Sequence, residues 1–179
     1  MKAVGALVLA LSLPATTHSQ PKSDWEIKME ERNFQEADVK LPEFPKAEHL
    51  IEFEASAANP FRFYVDGQSL TPGKDGVVRY TLVARSPSGA ESISYNGLRC
   101  KSNAHRVYAT GRPDRTWSSL GGEWKQLQPR TVSRQHLALA RDFFCPATVA
   151  IATRDEGVNA LKRGMHPDAS SGHTNFGAR

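Results

Sequence analysis

"VVRYTLVAR", residues 77–85, is the longest run of strand-like alternation in the chain. In an extended chain Val78, Tyr80, Leu82 and Ala84 share one side, and Val77, Arg79, Thr81, Val83 and Arg85 share the other. A period of two identifies a strand. Apolar residues on both sides place that strand inside a sheet, covered at least in part on each face. Breaks bound it, "TPGKDG" before and "SPSGA" after.

The neighbouring runs repeat the pattern. "FRFYV", residues 61–65, puts Phe61, Phe63 and Val65 on one face and Arg62 and Tyr64 on the other, and Asp66-Gly67 then reads as a turn. "LIEFEA", residues 50–55, alternates weakly, with Leu50 or Ile51 and Phe53 as core candidates. In "ESISYNGLRC", residues 91–100, Asn96-Gly97 suits a hairpin turn, but a bulge is the better reading because "LRC" continues the short strand "SISY". "HRVYATG" is a further strand, and Trp117 and Trp124 flank "SSLGGE", read as a hairpin with Gly121-Gly122 in its loop. The result is an antiparallel meander of five to seven strands.

After Pro129 the period changes. Ser133 can cap a helix over "RQHLALARDFF", with Leu137, Ala140 and Phe144 on one stripe, Phe143 beside it, and Pro146 as the stop. A second short helix is expected from Asp155 to Arg163, with capping-box spacing between Thr153 and Glu156 and a stop at Gly164. "MHPDASSGHTNFGAR" is poor in apolar residues and is expected to be a mobile tail. The fold class is therefore α+β: a core domain over residues 49–146, followed by a short helix and tail over 147–179. Residues 20–48 form an acidic extended lead. Pro42 and Pro45 exclude a helix interior there, although residues 24–32 allow a short helical turn.

The charge is unevenly spread. Residues 1–60 carry six Lys/Arg against ten Asp/Glu, residues 61–135 twelve against five, and residues 136–179 five against four. Either the acidic lead lies across the basic centre, or that centre faces an anionic partner such as lipid headgroups or a cell-wall polymer.

Residues 1–19 have the layout of a secretory signal peptide. Lys2 precedes an apolar run from Ala3 to Leu13, Pro14 follows, and Thr17 and Ser19 present small side chains for cleavage. The run is too short to span a bilayer, and no later stretch approaches that length. The expectation is a periplasmic, soluble protein without a lipid anchor or transmembrane segment. In that oxidising compartment the two cysteines, Cys100 and Cys145, are expected to pair. The 44 residues between them match no compact redox or zinc pattern.

The run from Arg62 to Cys100 resembles the core of the CNP-like family of exported bacterial proteins. "RVYATGRPDRTWSS", "EWKQL" and "SRQHLALARDFFCP" extend the likeness, which covers about residues 40–146. The resemblance implies an exported protein and supplies no activity.

Chemistry-bearing residues are sparse. His166, Asp168 and His173 fall in the expected tail, where no preformed metal site is anticipated. His105 and His136 can be imagined as a catalytic pair with Asp142 or Ser133, but surface or edge positions are the plainer expectation. No phosphate loop, nucleophile elbow or RNA-binding signature is present. Nucleic acid is therefore excluded as a partner, and no metal or cofactor is expected.

The candidate ligand-binding set is Arg62, Tyr64, Arg79, Arg85, Trp117 and Trp124. Arginine forks suit carboxylate or phosphate, and flat rings suit sugar faces or peptide side chains. The alternative is that the rings complete the core while the arginines stay solvated or pair with the acidic lead. Expected functions are a non-catalytic binding or envelope-accessory module or, as the rival, a periplasmic hydrolase. The expected partner is an anionic envelope component or another envelope protein.

Overall fold

The computed structural model describes residues 32–55, 59–128 and 134–169, together with Ser23, Trp25 and Met29. The leader over residues 1–19, Ser133, and residues 170–179 including His173 lie outside the described residues. Two compact units are present, Met1–Phe34 and Gln35–Arg179. In the first, Trp25, Met29 and Arg32 are helical, and the Asn33 N–H donates to the Met29 carbonyl at 3.0 Å.

The second unit is built on an antiparallel meander. β1 (Leu50–Phe53), β2 (Arg62–Pro72), β3 (Val77–Arg85), β4 (Glu91–Arg99), β5 (Ala104–Gly111) and β6 (Trp117–Ser119) lie side by side in chain order, and β7 (Lys125–Gln126) also pairs with β5. β3 is interior, as its two-sided apolar pattern requires: Val77 to Val83 are all buried. One face carries the main core, including Phe63, Val65, Val78, Tyr80, Leu82 and Leu98. Phe61, expected beside Phe63 in that core, stands just before β2 and is 45% exposed.

Two turn expectations need correction. Asp66-Gly67 does not end the strand. β2 runs on through a large bulge, with Asp66 opposite Thr81 but Thr71 opposite Arg79. Asp66 accepts from the Gln68 N–H at 3.1 Å, which is the local turn that the sequence signalled. Ser69 then replaces the lost ladder bond, its Oγ accepting the Thr81 N–H at 2.9 Å and donating to the Asp66 carbonyl at 3.0 Å.

The stretch around Gly121-Gly122 is not a hairpin. β6 and β7 both pair with β5, as two pieces of one interrupted edge. Gly122 makes this possible, since a Cβ there would stand 2.7 Å from the Val107 carbonyl oxygen. At Asn96-Gly97 the ladder does bulge, but the extra residue is Tyr108 on the partner strand: Tyr95 pairs with Ala109 and Asn96 with Val107. Gly97 leaves room for the Tyr108 ring, whose Cε2 would lie 2.9 Å from an added Cβ.

The first helix begins as α1 (Arg134–Ala138) and widens into a π-helical segment, Leu139–Phe144. The Cys145 N–H reaches back five residues to the Ala140 carbonyl at 2.9 Å. That extra residue per turn shifts the apolar stripe. Leu139, Ala140, Phe143 and Phe144 are buried, whereas Leu137 is only partly so. Cys145 is then positioned for its disulfide to Cys100, with the Cα atoms 5.3 Å apart.

α2 (Arg154–Arg163) packs on β1 and β2. Thr153 caps it by accepting the Glu156 N–H at 3.1 Å, and Gly164 ends it with φ 83°. Beyond Gly164, where a mobile tail was expected, His166 and Ala169 are buried. His166 Nε2 bonds Glu156 Oε1 at 3.0 Å, and the backbone N–H of His166 donates to the Asp142 carbonyl at 2.8 Å.

Candidate functional site

The face of the sheet opposite the helices is covered by the end of the acidic lead. Residues 35–46 run across it as a strap. Glu36 Oε2 accepts from Arg106 at 2.7 Å, Glu36 Oε1 lies 3.5 Å from Arg79 Nη2, and the Tyr108 hydroxyl donates to the same carboxylate. The Ala37 N–H donates to Asp75 at 2.9 Å, and Val39 packs on Tyr95, Tyr108 and Ala109. Trp117 donates its indole N–H to the Pro42 carbonyl at 2.9 Å and packs on Phe44 at 5.2 Å between centroids.

Arg79 therefore belongs to the interior. It is 6% exposed and forms a bidentate pair with Asp75 at 2.6 and 3.1 Å. Burial opposes the Asp75 carboxylate, but the Arg79 fork and the Ala37 and Val77 N–H groups outweigh it and hold its pKa below the ordinary range. Burial and the hydrogen bond to Glu36 push the Tyr108 phenol upward, so it remains a proton donor. Trp117 and Trp124 flank the same cluster, Trp124 meeting the Tyr108 ring edge-on at 6.4 Å and Trp117 the Tyr95 ring at 6.3 Å.

Arg62, Tyr64 and Arg85 come together elsewhere on this face. Arg62 lies opposite Arg85 in the ladder, and both guanidinium groups sit over the Tyr64 ring, at 5.6 and 4.9 Å. Each has its own carboxylate: Arg62 chelates Glu52 at 2.5 and 2.7 Å, and Arg85 bonds Glu91 Oε1 at 2.6 and 2.9 Å. The six expected ligand residues are thus divided between an internal cluster and a self-neutralised surface ladder.

Two arginines that sequence reasoning passed over have no such partner. The β5–β6 turn carries Arg112 and Arg115, both exposed, and among the described residues neither forms an ion pair with a carboxylate. Arg112 donates to Ser118 Oγ at 3.1 Å, and Arg115 lies over the Phe44 ring at 5.5 Å. The turn is held from within, with the Arg115 N–H bonded to the Arg112 carbonyl at 3.0 Å and Asp114 accepting from the Thr116 hydroxyl at 2.6 Å. Arg115 takes φ 63°, a left-handed conformation that costs a non-glycine residue about 1 kcal/mol.

Both arginines line a cleft of about 400 Å³ between strap and sheet. Its apolar surface comes from Phe44, Leu50, Val83 and Ile93, and the Arg85–Glu91 pair also borders it. Such a cleft can seat a flat or apolar body and pair its acidic group with two guanidinium groups that have neutral hydrogen-bond partners, Ser118 Oγ for Arg112 and the Pro45 carbonyl for Arg115 at 3.4 Å. The legible signal was the turn "RPDR", where the single acid between two arginines is taken by Thr116.

On the opposite face His105 and His136 do meet, although surface or edge positions were expected. They are 8% and 5% exposed, and their rings stack with centroids 4.7 Å apart. Burial, and then the neighbouring His105, lower the His136 pKa to about 3, and burial also lowers that of His105. The Tyr80 hydroxyl, its pKa raised by burial, shares a hydrogen bond with His136 Nδ1 at 2.7 Å. Asp142 does not complete a triad; its carboxylate is held by Arg141 at 2.6 Å. Among the described residues no group of three or more His, Cys, Asp or Glu is placed to hold a metal ion, and no helix is long and apolar enough to cross a membrane.

A meander stapled to a helix by one disulfide, with a strap over its second face, defines a small α+β domain. The chain belongs to the CNP1-like family, whose pattern it matches over residues 29–162. No curated protein and no solved structure matches it.

Proposed function

We propose that this protein is exported to the periplasm and acts there as a non-catalytic binding module for an anionic component of the cell envelope. The observation that carries the reading is the strap-side cleft, where Arg112 and Arg115 stand beside an apolar floor and form no ion pair with a carboxylate among the described residues. Export is supported by the leader-like layout of residues 1–19 and by a disulfide, a bond that oxidising compartments favour. The ligand class is a carboxylate or phosphate attached to a flat or apolar body, because the cleft offers both surfaces.

Two measurements test the reading. Expression of the full chain with its own leader should yield a periplasmic fraction whose intact mass lacks the leader; an uncleaved cytoplasmic product would overturn export. Titration with N-acetylmuramoyl dipeptide, a carboxylate on a sugar and peptide body, should change Trp117 fluorescence, and glycerol phosphate in a parallel arm separates carboxylate from phosphate preference. A flat response to both probes, or an equal response in the Arg112→Ala/Arg115→Ala variant, would overturn binding.

A further inference from the structure

The helical layer leaves one corner of its sheet face open. α2 lies over β1 and β2, and the π segment sits over Tyr80 and Cys100. Beyond them, Ser94, His105, Val107 and Thr110 line a cleft of about 550 Å³, whose outer wall is Leu120 and the chain through Lys125. That volume suits a small molecule. Val107 and Leu120, the latter 42% exposed, make its middle apolar.

Its two ends are polar, and their hydrogen-bond roles are fixed. His105 Nδ1 lies 3.3 Å from the Lys125 carbonyl oxygen, which can only accept, so the ring proton sits on Nδ1. Burial keeps this ring neutral, and Nε2 is left with a lone pair. His136 stacks on the ring and holds its orientation. At the other end, Asn96 Nδ2 donates to Ser94 Oγ at 3.0 Å and to the Ser94 carbonyl at 2.9 Å. Ser94 Oγ therefore accepts from behind and keeps its own proton for the cleft. Asn96 is fully buried, and its Oδ1 has no hydrogen-bond partner among the described residues, a cost seldom left in a core without a role.

We infer that this cleft is a binding site for a small neutral amphiphile, which donates a hydrogen bond to His105 Nε2, accepts one from Ser94, and lays a short apolar body on Val107 and Leu120. Leu98, opposite His105, is four residues from Ser94 along β4, roughly 13 Å of strand, and that separation sets the ligand's length. A charged ligand is disfavoured, since Glu123 and Lys125, which also line the cleft, carry opposite charges and leave no net charge to compensate it. This site is separate from the arginine cleft, which lies on the other face.

N-acetyltyramine, with a phenol donor, an amide acceptor and an apolar middle, is the probe. In a ¹H–¹⁵N titration of the full chain it should shift Val107, Thr110 and Leu120 saturably, and the His105 ring should show its proton on Nδ1. His105→Phe should weaken binding roughly tenfold. Leu120→Asp, at an exposed position that folding tolerates, should weaken it at least as much, while Arg112→Ala/Arg115→Ala should leave it unchanged. Shifts that grow without saturating, equal affinity in Leu120→Asp, or a proton on Nε2 of His105 would overturn the assignment.

Discussion

Glu36 and Arg106, separated by 70 residues of chain, meet at 2.7 Å between the strap and β5. The same carboxylate also meets Arg79 and the Tyr108 hydroxyl, so one acidic residue of the lead answers the basic centre of the sequence. Of the two arrangements that the charge distribution allows, the acidic lead across the basic face is the one adopted between Glu36 and Arg79/Arg106. The arginines left to a partner are Arg112 and Arg115; Arg115 touches the strap at Phe44 and the Pro45 carbonyl, but among the described residues neither arginine forms an ion pair with a carboxylate.

Glu36→Ala should therefore destabilise the domain. It strands the Tyr108 hydroxyl and Arg106, while Arg79 keeps Asp75. The expected loss is about 2 kcal/mol, below the full cost of orphaning a buried pair because Arg106 is partly solvated. Urea unfolding measures it, and Glu36→Gln, which can still hydrogen-bond, should lose less.

Gly97→Ala tests the same cluster from below. The added methyl meets the Tyr108 hydroxyl and ring, which must move away from Glu36. A destabilisation of about 1–3 kcal/mol is expected, without loss of strand content by circular dichroism.

The strands were legible because alternation is local. The two-sided pattern of residues 77–85 foretold that both faces of β3 are covered, and they are, by helices and by the strap. The bulge at residues 67–70 was not legible, since Asp66 does make the turn it signals, and only the distant Thr81 N–H on Ser69 shows that the strand resumes. The π segment was hidden for a similar reason. A stripe of period 3.6 through Leu137, Ala140 and Phe144 fits the residues, but packing both Phe143 and Phe144 requires the wider turn.

The site was harder to read than the fold. Arg79 has the same strand parity as Arg85, yet its neighbours across the sheet are Tyr108 and the strap, and no periodicity reveals that burial. His105 shares a face with Leu98, its ladder partner, and that register emerges only once the strands pair.

Acid should weaken the fold before the carboxylates titrate. His136 and His105 have folded pKa values below the unfolded reference of 6.5, so the unfolded chain binds protons first as pH falls. Their stabilisation is complete above pH 6.5 and is lost on acidification, for His136 down to its folded value of about 3. Between pH 6 and 5 the loss should approach roughly 1–2 kcal/mol. Denaturant midpoints across this range check it, and in His136→Gln the slope should fall by about one proton.

Removing the staple with Cys100→Ala/Cys145→Ala should cost about 4 kcal/mol, as the chain-entropy relation gives for a loop of this size. The deficit should appear in chemical unfolding, and reductant should have no further effect on the variant.

Binding at the arginine cleft is tested by calorimetric titration with N-acetylmuramoyl dipeptide at low and at physiological salt. The wild-type chain should bind saturably and more weakly as salt screens the pairing, and Arg112→Ala/Arg115→Ala should lose at least tenfold in affinity. Absence of binding, or binding that neither salt nor the double substitution alters, would contradict it.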